Sequence, residues 1–354
     1  MNATSLTARL GLRLPIVQGP FGGGLSTTAL ASTVSNLGGL GSFGAHVLPA
    51  DALGGLVTEL RALTSAPFAV NLWVGDEDPG GNTADREAIL RARDQLAPFF
   101  EELGLPLPAP PEPPFQPRYA DQIDALLEAR PPVFSFVFGI PSAAVLEACR
   151  ARDIVTIGPA TSVAEARALE DAGVSAIVAT GFEAGGHRPS FLARAEDSLM
   201  GTFALTQLVS QRVKVPVIAA GGVVDGRGVR AAMTLGASGA QLGTAFLACE
   251  ESGASAVHRA ALFGEGAAHT VLTRAFSGRL ARGLSNRFTE ATRAAGAPFA
   301  PYPLQSWLVS HLKAASVARG TSDFVSLWAG QAAPNLRFKS ARALMGALEQ
   351  EITA

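Results

Sequence analysis

Cysteine is scarce in this chain of 354 residues, and the two cysteines stand far apart. Cys149 and Cys249 form no Cys-x-x-Cys pair and have no histidine at a spacing typical of zinc sites. Their scarcity excludes a disulfide framework and gives no reason to expect a metal site. Two buried thiols in a reducing compartment explain them, so we expect a cytoplasmic protein.

Charge and long apolar runs are also limited. Charged residues make up 16% of the chain and sum to a formal net charge of -2, so nothing attracts nucleic acid or an anionic membrane over long range. No apolar run approaches the roughly 18 residues of a membrane span, and the first residues lack the pattern of a signal peptide. With 48% hydrophobic residues, the chain has material for a large core, and we expect it to be soluble.

Eight short apolar runs recur along the chain, and a helical pattern follows most of them. The runs are continuous rather than alternating, as expected for parallel strands buried on both faces. They fall at 14–20, 39–45, 68–74, 133–139, 153–160, 174–181, 215–222 and 238–247. This order predicts a TIM (β/α)₈ barrel. A doubly wound open sheet is the alternative, because order along the chain does not establish closure.

Two regions interrupt the repeat. An insertion at 75–118 combines a charged helical stretch with a proline-rich segment, which predicts an extended surface loop. Residues 252–325 are predicted as helices and loops that form a substrate or cap domain over one end of the barrel. The barrel itself is assigned to 1–251, and 326–354 is expected to pack back on its wall.

Glycines cluster where the predicted strands end, which is the face where barrel enzymes place their active sites. Strand seven ends in Gly221 and Gly222, and strand eight is followed by Gly243 and Thr244. Glycine backbone approaches an anion closely, and a hydroxyl adds a donor. We therefore predict a phosphate site between these two loops, with tight turns alone as the alternative.

The other strand ends indicate the shape of the ligand. A glycine cluster follows the first strand at 19–26, and Asn71 is a polar residue within the apolar third strand. A buried amide needs a partner, which is either a ligand or a core hydrogen bond. Glycines at so many strand ends favour a flat, sizeable ligand that lies against the backbone. Flavin mononucleotide (FMN) fits this description, as do other phosphorylated ligands.

His187 follows Gly185 and Gly186 at the end of strand six. The two glycines leave room for a ligand ring against the backbone, and an imidazole either binds an anion as a cation or accepts a proton. We predict that His187 is catalytic, with an ordinary surface histidine as the alternative. His46 also follows a strand end, but no motif supports it.

Several longer segments resemble the nitronate monooxygenases, formerly called 2-nitropropane dioxygenases. In family order they are PIVQGPFGGGLSTTALASTVSNLGGLGSFGA, GFEAGGHR, PVIAAGGVVDGRGVRAAMTLGASGAQLGTAFLACEES, SGRLARGLSNRF and SDFVSLWAGQ. The late segments, with PYPLQ at 301–305, resemble class I members. The resemblance implies an FMN-bound TIM barrel that oxidises alkyl nitronates, propionate 3-nitronate above all, with O₂ to a carbonyl compound and nitrite or nitrate.

The resemblance also implies roles for single residues. His187 matches the catalytic histidine, and Tyr302 would lie near the substrate. The residues implied for flavin binding are Gly22, Gly23, Asn71, Thr180, Gly185, Gly186, Gly221, Gly222, Gln241, Gly243, Thr244, Trp328 and Gln331. The chain departs from the family at Thr180, where glutamine is common, at Pro189, where glycine is frequent, and at Leu280, where proline is usual. The pocket also has few tyrosines to draw on, since the chain contains only Tyr119 and Tyr302, so we expect a substrate preference that differs from that of better-known members.

Two other functions fit the same barrel. An FMN-dependent NAD(P)H oxidoreductase of the quinone reductase or enoyl reductase type would take its electrons from a dinucleotide. A barrel that only binds FMN or a phosphorylated metabolite would do no chemistry. For the favoured function, the expected partners are a small nitronate or nitroalkane and O₂, and the chain would act as a monomer or homodimer.

Overall fold

In the computed structural model, the described residues are 5–75, 78, 82–112, 114–296 and 298–354. Eight parallel strands pair side by side in their chain order. They are β1 (Ile16–Gln18), β2 (Gly41–Gly44), β3 (Phe68–Trp73), β4 (Val133–Val137), β5 (Val155–Ala160), β6 (Ala176–Thr180), β7 (Val217–Ala220) and β8 (Gly239–Leu242). A parallel bridge between Val17 and Leu40 joins β1 to β2. The ring is thereby closed, which confirms the TIM barrel and excludes the open sheet.

Helices surround the ring and form most of the region after β8. They are α1 (Ser5–Leu10), α2 (Thr28–Asn36), α3 (Ala50–Leu63), α4 (Arg86–Glu102), α5 (Tyr119–Ala129), α6 (Ala143–Arg150), α7 (Val163–Asp171), α8 (Thr202–Ser210), α9 (Gly226–Thr234), α10 (Thr244–Leu247), α11 (Ala256–Leu262), α12 (Arg287–Ala295), α13 (Leu304–Ala318) and α14 (Ala341–Thr353). Short 3₁₀ turns occur at Ala195–Asp197, Glu265–Ala268 and Ala333–Asn335. No helix among the described residues is long and apolar enough to cross a membrane.

Alternate residues of each strand face the barrel interior and the helices. On β6, Ile177 and Ala179 pack toward the helices, whereas Ala176 and Val178 pack inside the ring. This double burial explains why the strands read as continuous apolar runs. The inward-facing side chains form one buried cluster, and a cavity opens at the carboxyl ends of the strands.

A small antiparallel sheet connects the barrel to the region after β8. Its central strand, Ala281–Leu284, pairs with Thr270–Thr273 on one side and with Gly186–His187 on the other. The prediction of helices and loops for 252–325 was wrong for the two strands of this region. Their four-residue segments lack a long apolar run, so pairing with the loop after β6 decides their conformation.

The insertion packs against the region after β8. Phe100 of α4 lies in one apolar cluster with Leu308 of α13, and both side chains are buried. Phe115 and Gln116, which follow the proline-rich segment, reach the cavity at the mouth of the barrel. The insertion thus contributes to the wall of that cavity.

Candidate active site

A cavity of about 530 Å³ opens at the carboxyl ends of the barrel strands. It is lined by almost all of the site residues predicted from the sequence: Gly22, Gly23, Asn71, Thr180, Gly185, Gly186, His187, Gly221, Gly222, Gln241, Gly243, Thr244, Tyr302 and Trp328. Gln331 is not among the lining residues. Its side chain is exposed, and its backbone N–H donates to the carbonyl oxygen of Glu183 at 3.0 Å.

The glycines of this cavity act in two ways. A side chain at Gly185 would place its Cβ 2.6 Å from the backbone of Ala329, so this glycine permits close packing of two segments. Gly23 and Gly186 have φ of 64° and 77°, and an added Cβ would meet no atom within 4 Å. These two glycines leave free space beside the backbone, which a flat ligand needs.

Side-chain amides provide hydrogen-bonding groups inside the cavity. The Asn71 amide nitrogen donates to Ser135 Oγ at 3.0 Å, so part of this amide forms a core hydrogen bond. Its carbonyl oxygen and the amide of Gln241 make no hydrogen bond with the described residues. Thr244 Oγ1 accepts the N–H of Gly330 at 2.9 Å, and its own proton is free to be donated. The cavity therefore offers both donors and acceptors to a ligand.

His187 lies among aromatic rings at one wall of this cavity. Its ring centroid is 5.2 Å from those of Trp73 and Trp328 and 6.2 Å from that of Phe138. Nε2 lies 2.8 Å from Ser277 Oγ, which fixes the orientation of the ring. No described residue bonds Nδ1, so this nitrogen is available to a ligand.

The electrostatics keep this imidazole neutral. Burial, and to a smaller extent the positive charge of Arg279, together lower the pKa of His187 to about 3. At neutral pH His187 is therefore a hydrogen-bonding group or a base. Of the two roles that the sequence suggested for His187, the low pKa disfavours cationic binding of an anion, and it also makes the imidazole a weak base.

The loop after β6 is held in place by two buried charged side chains. Arg188 is 2% exposed and donates to the carbonyl oxygens of Thr180, Gly181 and Ser198 at 2.7–3.1 Å. Glu165, which is fully buried, accepts the backbone N–H groups of residues 191 and 192. These bonds flank His187 on the chain and limit its movement.

Several residues of the site were missed by the sequence analysis. His46 lines the cavity and stacks on Trp73, with ring centroids 3.9 Å apart and planes 7° apart. All three tryptophans of the chain, Trp73, Trp307 and Trp328, line the cavity. Position at a strand end was the available signal for His46 and Trp73, and a requirement for a supporting motif led to their omission.

Two buried histidines, His46 and His258, and the half-buried His187 predict how stability depends on pH. Burial holds the pKa of His46 and His187 at about 3 and that of His258 at about 4, against 6.5 when exposed. Below pH 6.5 the unfolded chain therefore binds more protons than the folded protein, and the free energy of unfolding falls as the pH drops toward 4. Each histidine contributes a slope of about 1.4 kcal/mol per pH unit.

We therefore expect Tm to be nearly constant above about pH 7 and to fall steeply between about pH 6.5 and 5. His258 lies outside the cavity lining, so His258→Phe provides a control that removes one of the three groups. The free energy of unfolding of the His258→Phe variant should fall with decreasing pH about one third less steeply than that of the unchanged protein. Equal slopes in the two proteins would contradict this assignment.

The sequence model of the nitronate monooxygenase family matches residues 3–351. The chain is a member of that family. It is 42% identical over 351 residues to a nitronate monooxygenase of Paraburkholderia phytofirmans, covering 98% of the chain and 94% of the relative. It is 43% identical over 358 residues to that of Pseudomonas aeruginosa, covering 98% of both.

Solved structures agree with membership of the nitronate monooxygenase family. A nitroalkane oxidase from Streptomyces ansochromogenes superimposes with a TM-score of 0.89 at 37% identity, over 99% of the chain and 98% of the other protein. FabK from Thermotoga maritima superimposes with a TM-score of 0.76 at 28% identity, over 99% and 96%. The resemblance seen in the sequence is confirmed, and the family makes the protein an oxidoreductase that acts on small molecules.

Proposed function

We propose that the protein is an FMN-dependent nitronate monooxygenase. It oxidises alkyl nitronates of the propionate 3-nitronate type with O₂ to a carbonyl compound and nitrite or nitrate. The observation that supports this most is the shared cavity at the mouth of the barrel, which His187 lines together with the Gln241 amide and with Asn71, whose amide nitrogen bonds Ser135.

The residues present fit FMN. Gly23 and Gly186 leave space beside the backbone that a planar ring would fill. The amides of Asn71 and Gln241 match the alternating donors and acceptors on the pyrimidine edge of a flavin. The loops after β7 and β8 would hold the phosphate, as they commonly do in barrels, with the Thr244 hydroxyl as a donor.

Bound FMN would supply the electron transfer, and the chain supplies orientation, shielding and proton transfer. Neutral His187 either accepts the α-proton of a nitroalkane or donates a hydrogen bond to a nitronate oxygen. Ser277 Oγ holds the ring in place from the other nitrogen. Trp73 and Tyr302, whose ring centroids are 5.0 Å apart, form a wall that excludes water from the reacting atoms.

An oxygen electrode tests the proposal on the purified yellow protein. We expect O₂ uptake when propionate 3-nitronate is added, and no bleaching of the flavin by NADPH under nitrogen. Rapid bleaching by NADPH, with no O₂ uptake from the nitronate, would instead support the oxidoreductase alternative. A protein that binds FMN but responds to neither compound would support the binding-only alternative.

A further inference from the structure

A positive charge near its reacting end strengthens the binding of an anionic substrate, and the lining of the cavity supplies little such charge. His187 is neutral at physiological pH because of its low pKa. Among the described lining residues, Lys313 alone carries a charged side chain. Lys313 lies in the second half of α13, whereas Tyr302 precedes that helix. A second positive charge, that of Arg279, lies against three rings of the lining.

Arg279 lies directly behind the aromatic wall of the cavity. Its guanidinium carbon is 3.9 Å from the ring centroid of Phe138, 4.4 Å from that of Tyr302 and 5.1 Å from that of Trp73. All three rings line the cavity, but Arg279 does not. A charge one ring away from a ligand, with no water between, acts through a medium of low dielectric constant.

The backbone conformation of Phe138 accompanies its contact with Arg279. Phe138 has φ of 67°, a left-handed conformation that bulky residues adopt only at an energetic cost. That conformation accompanies the shortest of the three ring contacts of Arg279. Strain that the surrounding structure maintains is typical of functional sites.

The charge of Arg279 is only partly compensated. Its Nε donates to Asp78 Oδ1 at 2.8 Å, and the Asp78 side chain is 30% exposed, so water screens that carboxylate. Arg279 itself is 7% exposed, and its buried Nη1 has no hydrogen-bond partner among the described residues. The cation is thus largely desolvated, and the carboxylate that it pairs with is partly exposed to solvent. Its field reaches the site, since it contributes to the low pKa of both His46 and His187.

We propose that Arg279 is a specificity-determining residue that favours anionic nitronates over neutral nitroalkanes by acting through the aromatic wall. It does not touch the substrate, and Asp78 moderates its strength. This inference rests on the proposed function and deepens it, because it names the residue that selects the ionised form of the substrate.

The first test compares two substrates with one carbon skeleton, ethyl nitronate and nitroethane. Arg279→Met should raise the KM for ethyl nitronate about tenfold and change the KM for nitroethane less than about twofold, as expected for the loss of one desolvated charge. Arg279→Lys keeps the charge and should restore most of the discrimination. A rise in KM that is equal for both compounds would show that Arg279 only supports the fold.

The second test predicts an effect of opposite sign. Asp78→Asn keeps the shape of the side chain and removes the opposing charge, so it should lower the KM for ethyl nitronate by about twofold to fivefold and leave that for nitroethane unchanged. A purely structural ion pair would predict weaker binding of both compounds in both variants. The Asp78→Asn variant still tests the inference if Arg279→Met fails to fold.

The third test needs no turnover. Nitrate is a planar anion with the geometry of a nitronate group, and its binding to the holoprotein can be measured by isothermal titration calorimetry. The dissociation constant should rise in Arg279→Met and fall in Asp78→Asn. Unchanged nitrate binding in both variants would overturn the inference. If nitrate binding shifts in this way but the protein turns over no nitronate, the proposed function is overturned and the inference about Arg279 and anion binding stands.

Discussion

Replacing His187 with asparagine should lower turnover of propionate 3-nitronate by a factor of about 10² to 10³, which is the usual effect of removing one positioned hydrogen-bonding group from an active site. The imidazole is the only group that we assign to direct contact with the reacting atoms, and Ser277 orients it at 2.8 Å. The flavin should remain bound, because the space and the amide groups assigned to it come from other residues. Turnover is measured with the oxygen electrode and flavin content from visible absorbance.

Ser277→Ala provides the matched control. It removes the group that orients the ring but leaves the imidazole, so the loss of turnover should be smaller, about tenfold, since only positioning is lost. Full activity in His187→Asn, with normal flavin content, would remove His187 from the mechanism. Loss of flavin in that variant would instead assign His187 to cofactor binding.

Arg188→Met should lower the free energy of unfolding by about 3–5 kcal/mol, which is large against the 5–15 kcal/mol typical of folded proteins. The guanidinium is 2% exposed and donates to three backbone carbonyl oxygens. The methionine side chain fills much of the volume but removes a buried donor from all three oxygens, of which that of Gly181 keeps the Ala184 N–H at 3.1 Å. Urea denaturation of the variant measures the effect.

Arg61→Met is the control for Arg188→Met. Arg61 also donates to two backbone carbonyl oxygens, those of Ala129 and Arg130, but its side chain is exposed and water replaces the lost bonds. Its free energy of unfolding should change by less than about 1 kcal/mol. Similar losses in the two variants would show that burial does not decide the contribution of Arg188.

The barrel could be predicted from the sequence because its strands are buried on both faces. Burial on both faces leaves apolar runs that polar residues rarely interrupt, and Asn71 is an interruption that lines the cavity. The strand Ala281–Leu284 carried no such signal. Arg282 is buried within it and donates to the carbonyl oxygen of Phe182, so contacts with a distant loop rather than local pattern determine this strand.

Many of the predicted site residues were chosen because they stand at strand ends, and most of the predicted site lines one cavity. That reasoning works because the carboxyl ends of parallel strands meet at one face of a barrel. It fails for Arg279, which lies behind the lining and acts through Trp73, Phe138 and Tyr302, three rings from separate parts of the chain. Arg279 stands in the segment SGRLARGLSNRF that resembles the family, but its arrangement against the three rings exists only in the folded structure.

A crystal structure of the yellow holoprotein tests the central claim most directly. The account predicts that the flavin ring lies at the mouth of the barrel in contact with the His187 imidazole, with its phosphate at the loops after β7 and β8. A flavin bound elsewhere, or a purified protein that is colourless and takes up no FMN, would contradict it.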